Sequence, residues 1–127
     1  ALRQAFGSRV TLFEGALGES EGRTTFVWAQ GTPEESGLKR RNYNDPANAN
    51  PTEIEVTIGT LNGLGRDLGR CDFIKIDVEG AELTALRGGT ELLRRLRPVV
   101  SVEFGRPAYS VYGHEAGELF DFAAEQG

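Results

Sequence analysis

The chain is poor in soft and ring-nitrogen metal ligands: one cysteine, Cys71, one histidine, His114, and no methionine. A single thiol excludes an internal disulfide framework and a multi-cysteine metal site. A single imidazole excludes a His-rich zinc centre. Long apolar runs are missing too. Nothing approaches the roughly 18 apolar residues that a spanning helix needs, and no apolar stretch follows Arg3, so no secretory leader is read in the opening residues. The expectation is a cytoplasmic protein that meets no membrane. Positive charge is also scarce: 14 Lys and Arg against 19 Asp and Glu leave a formal charge of −5. An acidic chain lacks the basic face that phosphate contacts with nucleic acid demand.

What is present fits one domain. The 127 residues are 39% hydrophobic and 26% charged, too apolar for a disordered tail and too short for two ordinary cores. Glycine is plentiful at 17 residues, about twice the usual share of roughly 7%, so many turns are expected. The chain opens without a cap or strand signal and stops at Gly127 directly after a helical pattern. Both ends are therefore expected to be cut inside a larger domain.

Along the chain, Val10 to Leu17 reads as a strand, and the β-branched and aromatic run Thr24 to Trp28 as a second one that pairs with it like a hairpin. Trp28 is expected to pack against the sheet. From Gln30 to Pro51 the pattern vanishes among Gly31, Pro33, Gly37, Pro46 and four asparagines. A loop this long is uncommon unless functional or mobile; Arg40 and Arg41 sit within it. Glu53 to Ile58 alternates, with Ile54, Val56 and Ile58 on one face, as in a half-buried strand. A short helix is expected around Leu61 to Leu68. Phe73 to Val78 is a strand, Gly80 a turn, and 81–96 a helix with Leu83, Leu86, Leu93 and Leu96 inward and Glu82, Arg87, Glu91, Arg94 and Arg95 outward. Val99 to Phe104 is the next strand and 113–126 a second helix, with His114 exposed beside its start. Strand, helix, strand, helix is the pattern of parallel βαβ units, so the strands near 73–78 and 98–104 should be parallel neighbours.

Chemistry concentrates in the second half. Alternation along Phe73 to Glu79 puts Ile74, Ile76 and Val78 on one side and Phe73, Lys75, Asp77 and Glu79 on the other. Charges buried in a central strand are costly unless paired, so Lys75 and Asp77 could form a structural pair. Alternatively, Asp77 and Glu79 stand at the carboxyl end of the strand, where open α/β sheets bind ligands. Glu103 arrives at the same end of the next strand, so the three carboxylates converge if the strands are neighbours. Such a cluster can bind a cation, act as general base or hold hydroxyl groups. The run Gly63 to Gly69 imitates a dinucleotide fingerprint with the wrong spacing and reads as a turn. Cys71 reads as a small hydrophobe entering a strand.

The segment Asp72-Phe-Ile-Lys-Ile-Asp-Val-Glu-Gly-Ala-Glu-Leu83, followed by Leu86-Arg-Gly-Gly89, Arg97-Pro98 and a strand ending in Glu103, resembles the FkbM-type methyltransferases. Ala16-Leu17-Gly18-Glu19 with Gly22, Ser36-Gly37-Leu38 and Val56-Thr-Ile-Gly-Thr-Leu61 match further family segments in order. Where the family usually carries an acid after Thr-Leu, this chain has Asn62. The resemblance implies a Rossmann-like α/β methyltransferase fold, truncated at both ends, with a mixed sheet and a parallel βαβ unit. Residues 1–127 would form a partial domain, since the family's glycine-rich cofactor loop precedes the matching segments; these residues alone are then expected to bind cofactor weakly. It further implies S-adenosyl-L-methionine as cofactor, with Gly15, Ala16 and Leu17 near its adenine, and a small-molecule or saccharide acceptor methylated on a hydroxyl. Asp77, Glu79 and Glu103 would be the catalytic residues, with no resident metal. The competing reading is a non-catalytic α/β module that binds a ligand or partner through the 30–51 loop and the carboxylate rim.

Overall fold

The computed structural model describes residues 2–40, 42–115 and 117–127; Arg41 lies outside them. After a short helix α1 (Leu2–Phe6), five strands follow: β1 (Ala16–Leu17), β2 (Gly22–Ala29), β3 (Pro51–Gly59), β4 (Phe73–Ile76) and β5 (Val99–Val102). Between and after them come α2 (Pro46–Ala49), α3 (Leu61–Leu64), α4 (Glu82–Arg87), α5 (Thr90–Leu96), α6 (Arg106–Val111) and α7 (Glu118–Gln126). Among the described residues no helix is long and apolar enough to cross a membrane.

The strands form two sheets. In the first, β3 is central: it pairs antiparallel with β2 from Gly22↔Ile58 to Ala29↔Pro51, and parallel with β1 through Ala16↔Ile58 and Leu17↔Gly59. The expected hairpin of the first two strands is thus corrected, because β3 lies between them. The strand expected from Val10 also shrinks to two residues. Nine-residue β3 offers a backbone edge on each side, whereas β1 pairs only where the Ala16–Leu17 segment lies alongside it. Ile54 and Trp28 are exposed, so neither packs as its alternation or size suggested. The long segment 30–51 holds a 3₁₀ turn at Pro33–Glu35, the short α2, and a bridge that pairs Gly37 with Val27 of β2.

The second sheet is β4 and β5, parallel and in register Phe73↔Val99 to Ile76↔Val102. This is the expected parallel neighbour pair, linked by helices. The mixed pairing therefore sits in one sheet and the βαβ unit carries its own pair. The crossover is two helices, because Gly88 and Gly89 break it. A Cβ on Gly88 would stand 2.1 Å from the carbonyl oxygen of Gly18, so only glycine lets the two segments meet. Asn62 locks the junction: its amide N–H donates to Gly88 O and its Oδ1 accepts from Leu92 N–H, each at 2.9 Å. The side chain thereby caps the first turn of α5 from outside the helix.

The inner face of this unit is the core. Leu83, Ala85 and Leu86 of α4 and Leu92 and Leu93 of α5 pack with Ile76, Tyr109 and Leu119. The outer face is open: Phe73 and Val99 are large exposed apolars, and Lys75 is exposed as well. Hence the expected cost of burying charge on β4 does not arise. Helix α6 was not foreseen, although Gly105 followed by Arg106-Pro107 is a helix start with proline in its first turn. His114, expected exposed, has a side chain only 11% accessible. Its Nε2 lies 3.0 Å from Thr84 Oγ1 on α4, which pins the α6–α7 connection to the crossover. Arg87 Nη2 donates to Glu118 Oε2 at 2.9 Å and ties α4 to α7, so Arg87 is not simply outward.

Candidate active site

Parallel pairing sets the site. The ladder ends at Ile76↔Val102 and is continued by Glu103 N–H donating to Ile76 O at 3.1 Å. Asp77 and Glu103 are the next residues, side by side at the carboxyl end of the sheet. The chain then turns sharply: Glu79 and Gly80 have φ of 55° and 104°. Glutamate pays strain in this left-handed region, whereas glycine does not. The turn is built from within by Glu82, whose Oε1 accepts the amide N–H of Val78 and of Gly80, each at 3.1 Å. Glu82 was expected on the outer face of its helix, yet it is 1% exposed. Its position two residues after the turn glycine was the available signal, since a carboxyl at a helix start can reach back to free amides.

Asp77, Glu79 and Glu103 each bring one carboxylate oxygen within 4.8 Å of the others. Lys75, two residues before Asp77 on the same face, donates to Asp77 Oδ2. That hydrogen bond raises the Lys75 ammonium above its ordinary range and is the first cause holding Asp77 low. The Asp77 and Glu103 carboxyls are also within hydrogen-bonding reach, which lowers Asp77 further and pushes Glu103 up. The negative charges of Asp77, Glu79 and Glu82 add to the rise at Glu103. The rim therefore holds one carboxyl that stays ionised and one that keeps a proton more readily. The Asp77 side chain is 43% accessible, so its ion pair with Lys75 is a surface pair.

Asp77, Glu79 and Glu103 line a cleft of about 800 Å³. Its lining also includes Gly15, Ala16 and Leu17 of the β1 segment, with Phe13, Phe26 and Leu64 as apolar members. A Cβ on Gly15 would lie 2.5 Å from Thr57 O and 2.6 Å from the Phe13 ring, so glycine there lets β1 close on β3. All six residues singled out in the sequence thus line one cleft. The long loop does too, through Pro33, Glu34, Ser36, Gly37 and Leu38. Sequence reasoning left that loop undecided. It is fastened by the Gly37 bridge to Val27 and by Leu38 N–H donating to the Tyr112 hydroxyl at 3.1 Å.

A family model of the methyltransferase FkbM domain matches residues 2–127. The chain belongs to the FkbM methyltransferase domain family. No curated protein and no solved structure matches it. Within this FkbM domain, the departure at Asn62 has a structural account. Its Oδ1 accepts from the Leu92 amide at 2.9 Å, a task that one oxygen of an acidic side chain performs equally well.

Proposed function

We propose that this domain serves an S-adenosyl-L-methionine-dependent O-methyltransferase acting on a hydroxyl of a sugar or secondary metabolite. The observation that carries the reading is the single cleft shared by the β1 segment and the carboxylates at the ends of β4 and β5. Its lining is of two kinds. Phe13, Leu17, Phe26 and Leu64 offer an apolar surface that suits a flat base, while the carboxylates suit a sulfonium cation and hydroxyl groups. S-adenosylmethionine supplies an electrophilic methyl group; the chain supplies position and a proton acceptor. Asp77, held by Lys75, orients the acceptor hydroxyl. Glu103, whose pKa is raised by Asp77, accepts its proton. Glu79 adds a further carboxylate to the lining of the cleft.

The substitution Asp77→Asn tests this. Asp77 is exposed and its partner Lys75 is free to be solvated, so the thermal midpoint should change little. Methyl transfer from labelled cofactor to a panel of hydroxylated acceptors should fall by roughly 100-fold or more, with cofactor affinity nearly unchanged. Undiminished turnover in the variant rejects the role given to Asp77. Failure of the wild type to methylate any hydroxylated acceptor, with the cofactor bound, rejects O-methylation itself.

A further inference from the structure

Glu79 and Glu103 line two spaces. One is the open cleft; the other is a small cavity of about 30 Å³ that they share with Gly80, Glu82, Gly105 and Tyr109. Two short segments deliver these residues. One is the turn after β4, running into α4; the other leads from the end of β5 into α6. Parallel pairing brings the segments together, with Glu103 N–H donating to Ile76 O.

Two buried polar atoms of this lining have no hydrogen-bond partner among the described residues: Glu82 Oε2 and the Tyr109 hydroxyl. Their residues are 1% and 2% exposed. The turn fixes the Glu82 carboxyl, because Oε1 holds the amides of Val78 and Gly80. The core fixes Tyr109, whose ring centre lies 5.2 Å from that of Phe104. Neither group can therefore turn out to bulk water, and buried polar atoms of native proteins find partners. The two do not bond each other, yet they are near neighbours. Burial, and then the charge of Glu82, push the Tyr109 phenol up to about 12, so at neutral pH it keeps a hydrogen to donate. The charge of Glu82 reaches Glu103 as well.

The cavity thus offers one fixed donor and one fixed acceptor that do not meet. Water matches both, whereas a bare cation matches only the acceptor. A single water needs roughly 10–15 Å³ of space and two to four polar partners. We propose that the cavity binds one ordered water, which accepts from the Tyr109 hydroxyl and donates to Glu82 Oε2 and to the Glu103 carboxylate. Tyr109 is thereby a positioning residue for Glu103. A donor behind Glu103 favours its ionised form, against the upward push of Asp77, Glu79 and Glu82. The water site stands on these side chains alone. Its bearing on turnover rests on the methyl-transfer reading, in which Glu103 takes the proton of the acceptor hydroxyl.

A high-resolution crystal structure of the protein tests the site directly. A density peak is expected within hydrogen-bonding reach of Glu82 Oε2, the Tyr109 hydroxyl and a Glu103 carboxyl oxygen. Carbon-detected NMR then follows the Glu103 carboxyl in the wild type and in Tyr109→Phe, which removes one hydroxyl and keeps the ring. Glu103 should titrate at higher pH in the variant, because a water left with acceptors alone is held less firmly. Tyr43→Phe, outside the cavity lining, should leave that titration in place. The acid limb of the kcat–pH profile for methyl transfer should move up with Glu103, which a purely structural loss would not cause. An empty cavity, a peak out of reach of Glu103, or a cation with several oxygen ligands overturns the proposal. So does an unmoved Glu103 titration in a folded Tyr109→Phe protein. A moved titration in a protein that binds S-adenosylmethionine yet methylates no hydroxylated acceptor keeps the water site and sinks the methyl-transfer reading. Methyl transfer with an unmoved titration does the reverse.

Discussion

Glu82 is the residue on which the rim's geometry hangs, and its removal has a calculable effect. Its Oε1 takes two amide hydrogens, from Val78 and Gly80, within a turn that also contains a left-handed glutamate. Truncation to alanine orphans both donors. Each net hydrogen bond is worth about 1 kcal/mol, and an unsatisfied buried amide costs about 1–3 kcal/mol more. Water reaching the partly buried Val78 amide offsets some of this, so Glu82→Ala should cost about 3 kcal/mol. Unfolding entropy of about 2.1 cal/mol/K per residue converts that into a midpoint lower by about 11 °C for 127 residues. Glu82→Gln keeps an acceptor oxygen in the same place and should recover at least half of the loss. Urea unfolding followed by circular dichroism reads both variants against wild type. A Glu82→Ala protein within about 0.5 kcal/mol of wild type would refute the assignment of Oε1 as the turn's organiser. So would a Gln variant as unstable as the Ala variant.

Three further outcomes are expected. Gly88→Ala should destabilise by about 2 kcal/mol or more, since its Cβ would stand 2.1 Å from Gly18 O and the α4–α5 junction cannot move without losing the Asn62 contacts; thermal unfolding checks it. Asn62→Ala should cost about 1 kcal/mol as a lost helix cap, while Asn62→Asp keeps the acceptor and stays within about 0.5 kcal/mol of wild type; denaturant midpoints separate the two. The Glu118 carboxyl is held below its ordinary value, first by the Glu115 amide and then by Arg87. Its contribution is therefore present above the unfolded-state pKa and is lost as pH falls through the lower folded value. Thermal midpoints of wild type and Glu118→Gln should differ at neutral pH and converge in acid.

The βαβ unit was legible because its signals are local and agree with one another. A β-branched strand, a turn glycine, leucines at helical spacing and Pro98 all point the same way, and β4 and β5 pair parallel as expected. The first sheet was less legible because strand order is a long-range property. Nothing in residues 10–28 reveals that β3, more than twenty residues later, inserts between the first two strands. The helix break at Gly88–Gly89 was masked by leucine periodicity on both sides, and its cause is a tertiary approach to Gly18 that no local window contains. Glu82 was misplaced for a related reason. Periodicity assigns faces to a regular helix, but at the first turn the side chain answers to the free amides before it. His114 was pulled inward by Thr84 on α4, thirty residues earlier.

The unequal character of the two rim carboxyls follows from register and from no special residue. Alternation places Lys75 on the face of Asp77, and parallel pairing places Ser101 beside Lys75. Continuing the ladder by one residue sets Glu103 beside Asp77. Asp77 therefore stands between a cation along its own strand and an acid across the sheet. At Glu103 the charges of Asp77, Glu79 and Glu82 act upward, with the hydrogen bond to Asp77 first among the causes. One carboxyl is pushed down and the other up by position alone. A slip of one residue in the pairing of β5 would put Val102 or Phe104 beside Asp77 and turn the alternate face of β5 outward. That slip is opposed by the core, since the true register sends Ile76 and Val102 together against α4 and α7. The packing that stabilises the unit is thus the same packing that pairs the two carboxyls, and the chemistry of the cleft depends on the apolar residues on the other side of the sheet.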